Sequence, residues 1–502
     1  MKWANARAKD STLKGSSRIY IKRNQSGRAF FSEGKLPMRI VLFALLLCLC
    51  KPAEAQSNLV LIDSISVQGN KKTLTKVILR EMTLQEGDRV PLSKLADELK
   101  RSRDFLMNTR LFADVKINYA NWEAKTNRVH LQVTVQETWY LYPLPFFDLA
   151  DRSFNVWVNE HNASLQRVNF GIDFTHLNLT GRRDLLSLDL TYGYTRRYGL
   201  RYSLPYLDKQ QILGMTSYVF YDRSREFNYL TENNRQVFFN VADRFTNIRF
   251  SAGTRIDIRP GLLRTHSVEL SFHQNRIAEE VASELNPDYF LDGRAFQRFA
   301  RFSYQFRFDD RDVRGYPLDG RFIGFQLEKA GLGLYDDRNA LTAFAQYFHF
   351  EPITDRWYVN YWMRGKFSII RQQQPYNDNR ALGFRGNDMR GYEYYIVDGL
   401  DMFIGSIGVT YQVLDHEINF GKLMPFEAFK RMPFRLYLTL DNNVGYVNNP
   451  FSTGSNTLDN RWLWGGGPGI DLVFFYDMAF RVQYSINHLW ETGLFFQFNT
   501  NI

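Results

Sequence analysis

The chain has 502 residues, 44% hydrophobic and 16% aromatic, yet its mean hydropathy is −0.37 and no apolar run approaches the roughly 20 residues of a membrane-spanning helix. Its formal charge of +10 would suit nucleic acid or an anionic surface, but residues 1–55 hold 11 Lys or Arg against 3 Asp or Glu, leaving the remainder at +2, so no nucleic-acid partner is expected. Both cysteines, Cys48 and Cys50, fall in that same stretch, and a thiol-free remainder suits an oxidising envelope.

Residues 1–55 read as a leader. Met38-Arg39, the apolar run Ile40 to Cys50 and the small-residue end Ala53-Glu54-Ala55 have the layout of a secretory signal peptide, with cleavage expected after Ala55. Met38 is read as the true start and the 37 polar, basic residues before it as an extension; the alternative is a genuine long leader. Cys48 follows Leu47, where a lipoprotein site would want a small residue, so lipidation is not expected.

Residues 57–138 change pattern type several times. Ile62 to Val67 alternates as a short strand ended by Gln68-Gly69-Asn70. Thr75 is expected to cap a helix through Val77, Ile78 and Met82, which stops at Glu86-Gly87-Asp88. A second helix is expected from Ser93 through Leu95, Leu99 and Phe105, then strands at Ala113 to Tyr119 and Val129 to Glu137. The run Ile65-x-Val67-x-Gly69-Asn70, then Gly87-Asp88, Thr109-Arg110-Leu111-Phe112-x-x-Val115 and Val133-x-Val135-x-Glu137 resembles a polypeptide-transport-associated (POTRA) domain. Such domains precede the barrel in the bacterial surface antigen family, the outer-membrane assembly proteins of the BamA and TamA type. The resemblance implies a periplasmic α+β module that handles extended polypeptide.

Residues 139–502 alternate throughout. Leu186, Leu188, Leu190 and Tyr192 oppose Ser187, Asp189 and Thr191; Leu436, Leu438 and Leu440 oppose Arg435, Thr439 and Asp441; Phe480, Val482, Tyr484 and Ile486 oppose Arg481, Gln483, Ser485 and Asn487. Period two with a polar inner face and many aromatics is the pattern of a membrane barrel, although one such strand alone would also suit a soluble sheet. These 364 residues accommodate about 16 strands of ~10 residues, with fourteen and eighteen as the neighbouring even counts. The expected fold is therefore membrane all-β: a roughly 16-stranded antiparallel outer-membrane barrel behind one small α+β domain. The first barrel strand is expected near Phe154 to Val158. The last, with Gly493, Leu494, Phe496 and Phe498, would meet it at the seam.

Further barrel stretches carry the same resemblance. Asn178-x-x-Gly181 resembles the early barrel hairpin. Asp309-x-Arg311-Asp312 followed by Pro317-x-x-Gly320 resembles the mid-barrel signature, and Met389-Arg390-Gly391-Tyr392 resembles the loop motif that folds back into the lumen. In that family the loop arginine pairs with inward acidic residues, which implies Asp441 as one partner. The second falls near Thr410, which carries no charge. Nothing looks catalytic: the eight histidines lack His-Glu-x-x-His spacing, and Gly465 to Gly469 lacks the lysine and helix of a phosphate loop, reading instead as a turn and strand start before Asp471. No cofactor or metal is expected.

The resemblance thus implies insertion or translocation of outer-membrane proteins. The expected partners are the outer-membrane bilayer and unfolded outer-membrane or secreted polypeptides, with periplasmic chaperones or accessory lipoproteins as further candidates. The alternatives are a passive pore or exporter for a lipid or secreted partner, and a barrel-embedded hydrolase using inward Asp, His and Ser.

Overall fold

The computed structural model describes residues 59–499 apart from 124–125, 150–153, 242, 336, 385, 422–423, 425–430, 453 and 475–477. The expected leader, with Met38, lies outside the described residues, as does the side chain of Phe498.

The first module runs β1 (Leu59–Gln68), α1 (Thr75–Arg80), β2 (Arg89–Pro91), α2 (Leu92–Met107), β3 (Phe112–Glu123) and β4 (Arg128–Glu137), in the sheet order β2-β1-β4-β3. Its core gathers Val60 and Ile62, Val77 and Ile78, Leu95 and Leu99, and Val129, Leu131 and Val133. The short β2 was missing from the expected order, since three residues carry no period. Thr75 is the first helical residue rather than the cap; Leu74 holds the cap position without a side-chain bond, since leucine has no polar atom to offer, and its N–H donates to the Gly181 carbonyl at 3.0 Å. The strand β1 is central, so the module's edges are β2 and β3.

The second module is one antiparallel sheet of sixteen strands. They are β5 (Leu141–Leu149), β6 (Val168–Leu177), β7 (Leu185–Gly193), β8 (Thr195–Leu204) and β9 (Leu213–Ser224). A hairpin, β10 (Glu226–Glu232) and β11 (Arg235–Asn240), interrupts the order, which resumes with β12 (Asn247–Ile258), β13 (Arg264–Ile277), β14 (Phe296–Asp309), β15 (Gly320–Ala330), β16 (Ala340–Pro352) and β17 (Trp357–Ser368). A loop carrying β18 (Arg380–Leu382) and β19 (Val397–Asp398) leads to β20 (Asp401–Asn419), β21 (Arg431–Asn448), β22 (Trp462–Phe474), β23 (Met478–Asn487) and β24 (Thr492–Asn499). The end strands are β5 and β24.

One expectation at the start of the sheet is corrected. Phe154 to Val158 is not a strand but part of helix α3 (Phe154–His161), and the sheet begins earlier, at Leu141. That first strand carries Pro143 and Pro145, and proline is tolerated where a strand ends a sheet, because a missing N–H breaks no inner ladder there. Helix α3 sits beside the last strand: the Phe154 and Phe496 rings are 6.2 Å apart. Gly465 to Gly469 is likewise strand throughout, inside β22, rather than a turn.

The facing of the rows resolves the ambiguity each strand carried alone. Leu438, Leu440, Leu270, Ile470 and Leu494 are exposed, whereas Thr439, Asp441, Asp471 and Gln483 are buried. Apolar out and polar in is the inverse of a soluble sheet, and a continuous exposed apolar face of this extent belongs in lipid. Leu438, 47% exposed near the middle of β21, is the test position. Leu438→Arg is expected to cost ~2–4 kcal/mol and to hinder folding as read by heat-modifiable gel mobility, while Leu438→Phe folds normally. Equal folding of both variants would reject the facing.

At the end of the sheet remote from the first module, here the far end, the β10–β11 hairpin turns at Asn233-Asn234, both with positive φ, the geometry of a two-residue hairpin loop. Its tip is bonded to the loop between β21 and β22. Asn234 Nδ2 donates to Thr457 Oγ1 at 3.0 Å, its Oδ1 accepts from the N–H groups of Thr457 and Leu458, and its own N–H donates to Asn456 Oδ1 at 2.8 Å. The hairpin leaves between the fifth and sixth strands of the order and lands between the thirteenth and fourteenth.

Candidate functional site

The loop between β17 and β20 folds against the inner face. Met389 and Tyr392 are fully buried among Leu382, Val397, Ile404, Val447, Leu458 and Leu463. The Tyr392 hydroxyl donates to the Trp464 carbonyl at 3.1 Å and bonds His488 Nδ1. The side chain of Asn487 donates to the Gly391 carbonyl at 2.8 Å. Two glycines make this approach possible. Gly391 has φ +79 and lies close to the Ile486 carbonyl, while a Cβ at Gly465 would stand 2.0 Å from the Arg390 carbonyl oxygen. Gly465, the first of the glycine run, is thus the bare point of wall on which the loop backbone rests, while Gly466 and Gly467 lie close to the backbones of β21 and β23.

Arg390 donates to Gln497 Oε1 of β24 at 2.7 Å and stands 4.0 Å from Asp441 Oδ2. Asp441 has a closer partner in Arg481 of β23, whose Nη1 donates to it at 2.9 Å. The same guanidinium forks onto Asp471 of β22, at 2.6 and 2.5 Å, the bidentate geometry that suits arginine to carboxylate. Asp471 therefore supplies the second inward carboxylate. Thr410, where one was sought, is buried opposite Thr439 and uncharged, and the position facing Asp441 on β20 is Gly408, which leaves the carboxylate room. Glu393, also buried, lies within electrostatic reach of Arg390 without a hydrogen bond to either carboxylate oxygen.

The signature after β14 folds inward at the near end, which carries the first module. Asp309 takes a two-pronged contact from Arg311 at 2.7 and 3.0 Å, Asp312 Oδ1 accepts from the Leu318 N–H, and Pro317 precedes Gly320 at the start of β15. Inside the turn, Tyr316 stacks on Tyr437 with centroids 4.9 Å apart and donates to Asp471 Oδ2 at 2.7 Å. Of the seam residues, Gly493, Leu494 and Phe496 pair with Ser485, Tyr484 and Val482 of β23.

Near-end turns hold the first module. Asn178 is fully buried and donates to Thr73 Oγ1, while Glu137 fixes that segment by accepting from the Lys72 and Thr73 N–H groups. Glu81 is 2% exposed and accepts from Arg183 at 2.8 Å, from Arg259 at 2.5 and 2.9 Å, and from the Tyr206 hydroxyl. Burial alone would raise its carboxyl, but the two guanidinium charges overcome it and hold the pKa at about 2. Asn108 reaches the Asp312 carbonyl at 3.0 Å. None of these partners is near Glu81 or Asn108 in sequence, so the joint was invisible to local pattern; Arg481 was at least legible as an inward residue.

Comparison with known proteins follows the same division. Residues 60–138 match the POTRA family, surface antigen variable number repeat, and residues 178–417 match the Omp85 superfamily domain. Among solved structures, CdiB from Escherichia coli superposes with a TM-score of 0.54 at 9% identity, covering 87% of this chain and 75% of that one. BamA from Haemophilus ducreyi lacking POTRA domains 1–3 gives 0.48 at 12% identity, covering 88% and 84%, and CdiB from Acinetobacter baumannii gives 0.45 at 14%, covering 88% and 73%. No curated protein sequence matches. The sixteen-stranded sheet, the inward loop and the docked first module are thus those of a chain that belongs to the Omp85 superfamily, with one POTRA domain among its described residues.

Proposed function

We propose that the protein sits in the bacterial outer membrane with its POTRA domain in the periplasm and inserts or translocates outer-membrane polypeptides, without a catalytic step of its own. The observation that carries this reading is the seated loop. Met389 and Tyr392 are buried against the wall and Arg390 is tied to the last strand through Gln497, an anchoring for which a passive pore has no use. Such a loop is suited to holding strands in position. On the POTRA side, β3 is an edge strand whose second half is exposed and carries the contacting pair Tyr119 and Trp122. An edge strand with exposed aromatics can take an extended polypeptide by strand addition, the main chain supplying affinity and the rings a foothold.

Depleting the protein and measuring the outer-membrane proteome tests the reading. A broad fall in barrel proteins is the expected result. Loss of a single secreted product, with the barrels unchanged, would replace it with export.

A further inference from the structure

We infer that Tyr316 is a positioning residue for the lumen loop, linking the POTRA domain to Arg390 through the Asp471–Arg481–Asp441 ladder. The inference deepens the reading above and rests on it only for the importance of the loop.

The signature turn between β14 and β15 is held at both ends of a short path. At its base, Asn108 of α2 donates to the Asp312 carbonyl at 3.0 Å, while the Asp312 N–H closes the turn onto the Asp319 carbonyl. At its tip, the Tyr316 hydroxyl donates to Asp471 Oδ2 at 2.7 Å, and its ring is clamped on Tyr437, fully buried. Asp471 is itself fully buried, so each donor it loses matters. That same Oδ2 takes a hydrogen bond from Arg481, whose other nitrogen holds Asp441, the carboxylate nearest Arg390. The periplasmic turn and the far-end loop therefore seat on one set of charges from opposite sides. A tyrosine supplies a neutral donor there without adding a third positive charge to Arg481 and Arg390. Tilting the POTRA domain pulls on Asp312, shifts the tyrosine hydroxyl and changes how firmly Arg481 and Asp441 hold the loop.

The test uses a buried thiol as reporter. The described residues contain no cysteine, so Met389→Cys introduces one at a site that is 1% exposed. Labelling by a membrane-impermeant maleimide is measured on the full-length protein in proteoliposomes. Tyr316→Phe keeps the ring on Tyr437 and removes only the hydroxyl. It is expected to raise the labelling rate about 5–20-fold, the lower part of the range of an ordinary intersite coupling. Asn108→Ala should also raise it, and the double variant should exceed neither single variant by much, because the two act in series. Tyr437→Phe should leave the rate unchanged. An unchanged rate in Tyr316→Phe overturns the proposal, as does an equal rise in Tyr437→Phe, which would mean that losing either hydroxyl of the stack loosens the loop, whether or not it bonds Asp471. An unchanged rate in Asn108→Ala removes the POTRA end of the link. Labelling reads loop position rather than cargo handling, so these outcomes are separable from failure of the functional reading.

Discussion

Arg481→Ala is expected to be the most damaging single substitution on the inner face, more so than Arg390→Ala. Arg481 neutralises both Asp441 and Asp471, and its loss leaves two buried carboxylates on neighbouring strands without the guanidinium they share. Removing one partner of a buried ion pair costs about 3–5 kcal/mol, and here one removal strands two partners. Arg390 stands 4.0 Å from Asp441 and bonds the neutral Gln497, so its replacement forfeits looser contacts and leaves Asp441 paired with Arg481. Arg481→Lys keeps the charge but loses the fork onto Asp471, and should fall between the two. The readout is the temperature at which the folded, fast-migrating band disappears on a heat-modifiable gel. A lower temperature for Arg390→Ala than for Arg481→Ala would invert the hierarchy and return Arg390 to the centre of the cluster.

Glu81→Gln is expected to release the POTRA domain from the near-end turns. The substitution preserves shape and removes the charge, so Arg183 and Arg259 face each other with no anion between their contacts. The cost is again about 3–5 kcal/mol, drawn from the joint rather than from either module's core. Because the folded carboxyl lies at about 2, below its ordinary 4.5, its contribution is complete above pH 4.5 and is lost as pH falls toward 2. Docking in the natural protein should therefore be indifferent to pH from 5 to 8. Limited proteolysis around Thr138 to Tyr140 reads the release: Glu81→Gln should be cut faster at pH 7 while each product remains folded. Identical cleavage of both proteins would show that Asn178, Asn108 and the backbone contacts suffice for docking.

These two predictions also mark how far the sequence could be read. Alternation placed Asp441, Arg481 and Thr439 on the inner face because side chains on a strand point alternately to its two sides, whatever the tertiary context. Which inward charges meet depends on register between strands 30 or more residues apart, and Arg481 rather than Arg390 proved to be the nearest partner of Asp441. Glu81 follows Arg80 at the end of a short helix, where an acidic residue is normally solvated; only the fold brings Arg183 and Arg259 to it. The start of the sheet was misplaced because a short apolar run carries no decisive period, so that helix α3 was taken for the first strand.

The hairpin tip at Asn234 has a mechanical meaning. A sheet of sixteen strands with β5 and β24 at its ends behaves as a split ring, and prising the split apart drives the flanks a quarter-turn away from each other. The β10–β11 hairpin joins points eight strands apart, near those flanks, and is fastened at its tip by Asn234. It therefore acts as a tie rod across the ring, loaded in tension whenever the split widens. The tie lies at the far end only, while at the near end the POTRA contacts brace the successive turns from Asn178 to Asp312, one half of the rim. Strain in such a ring concentrates in the opposite half, in the near-end stretches of the strands leading to β24.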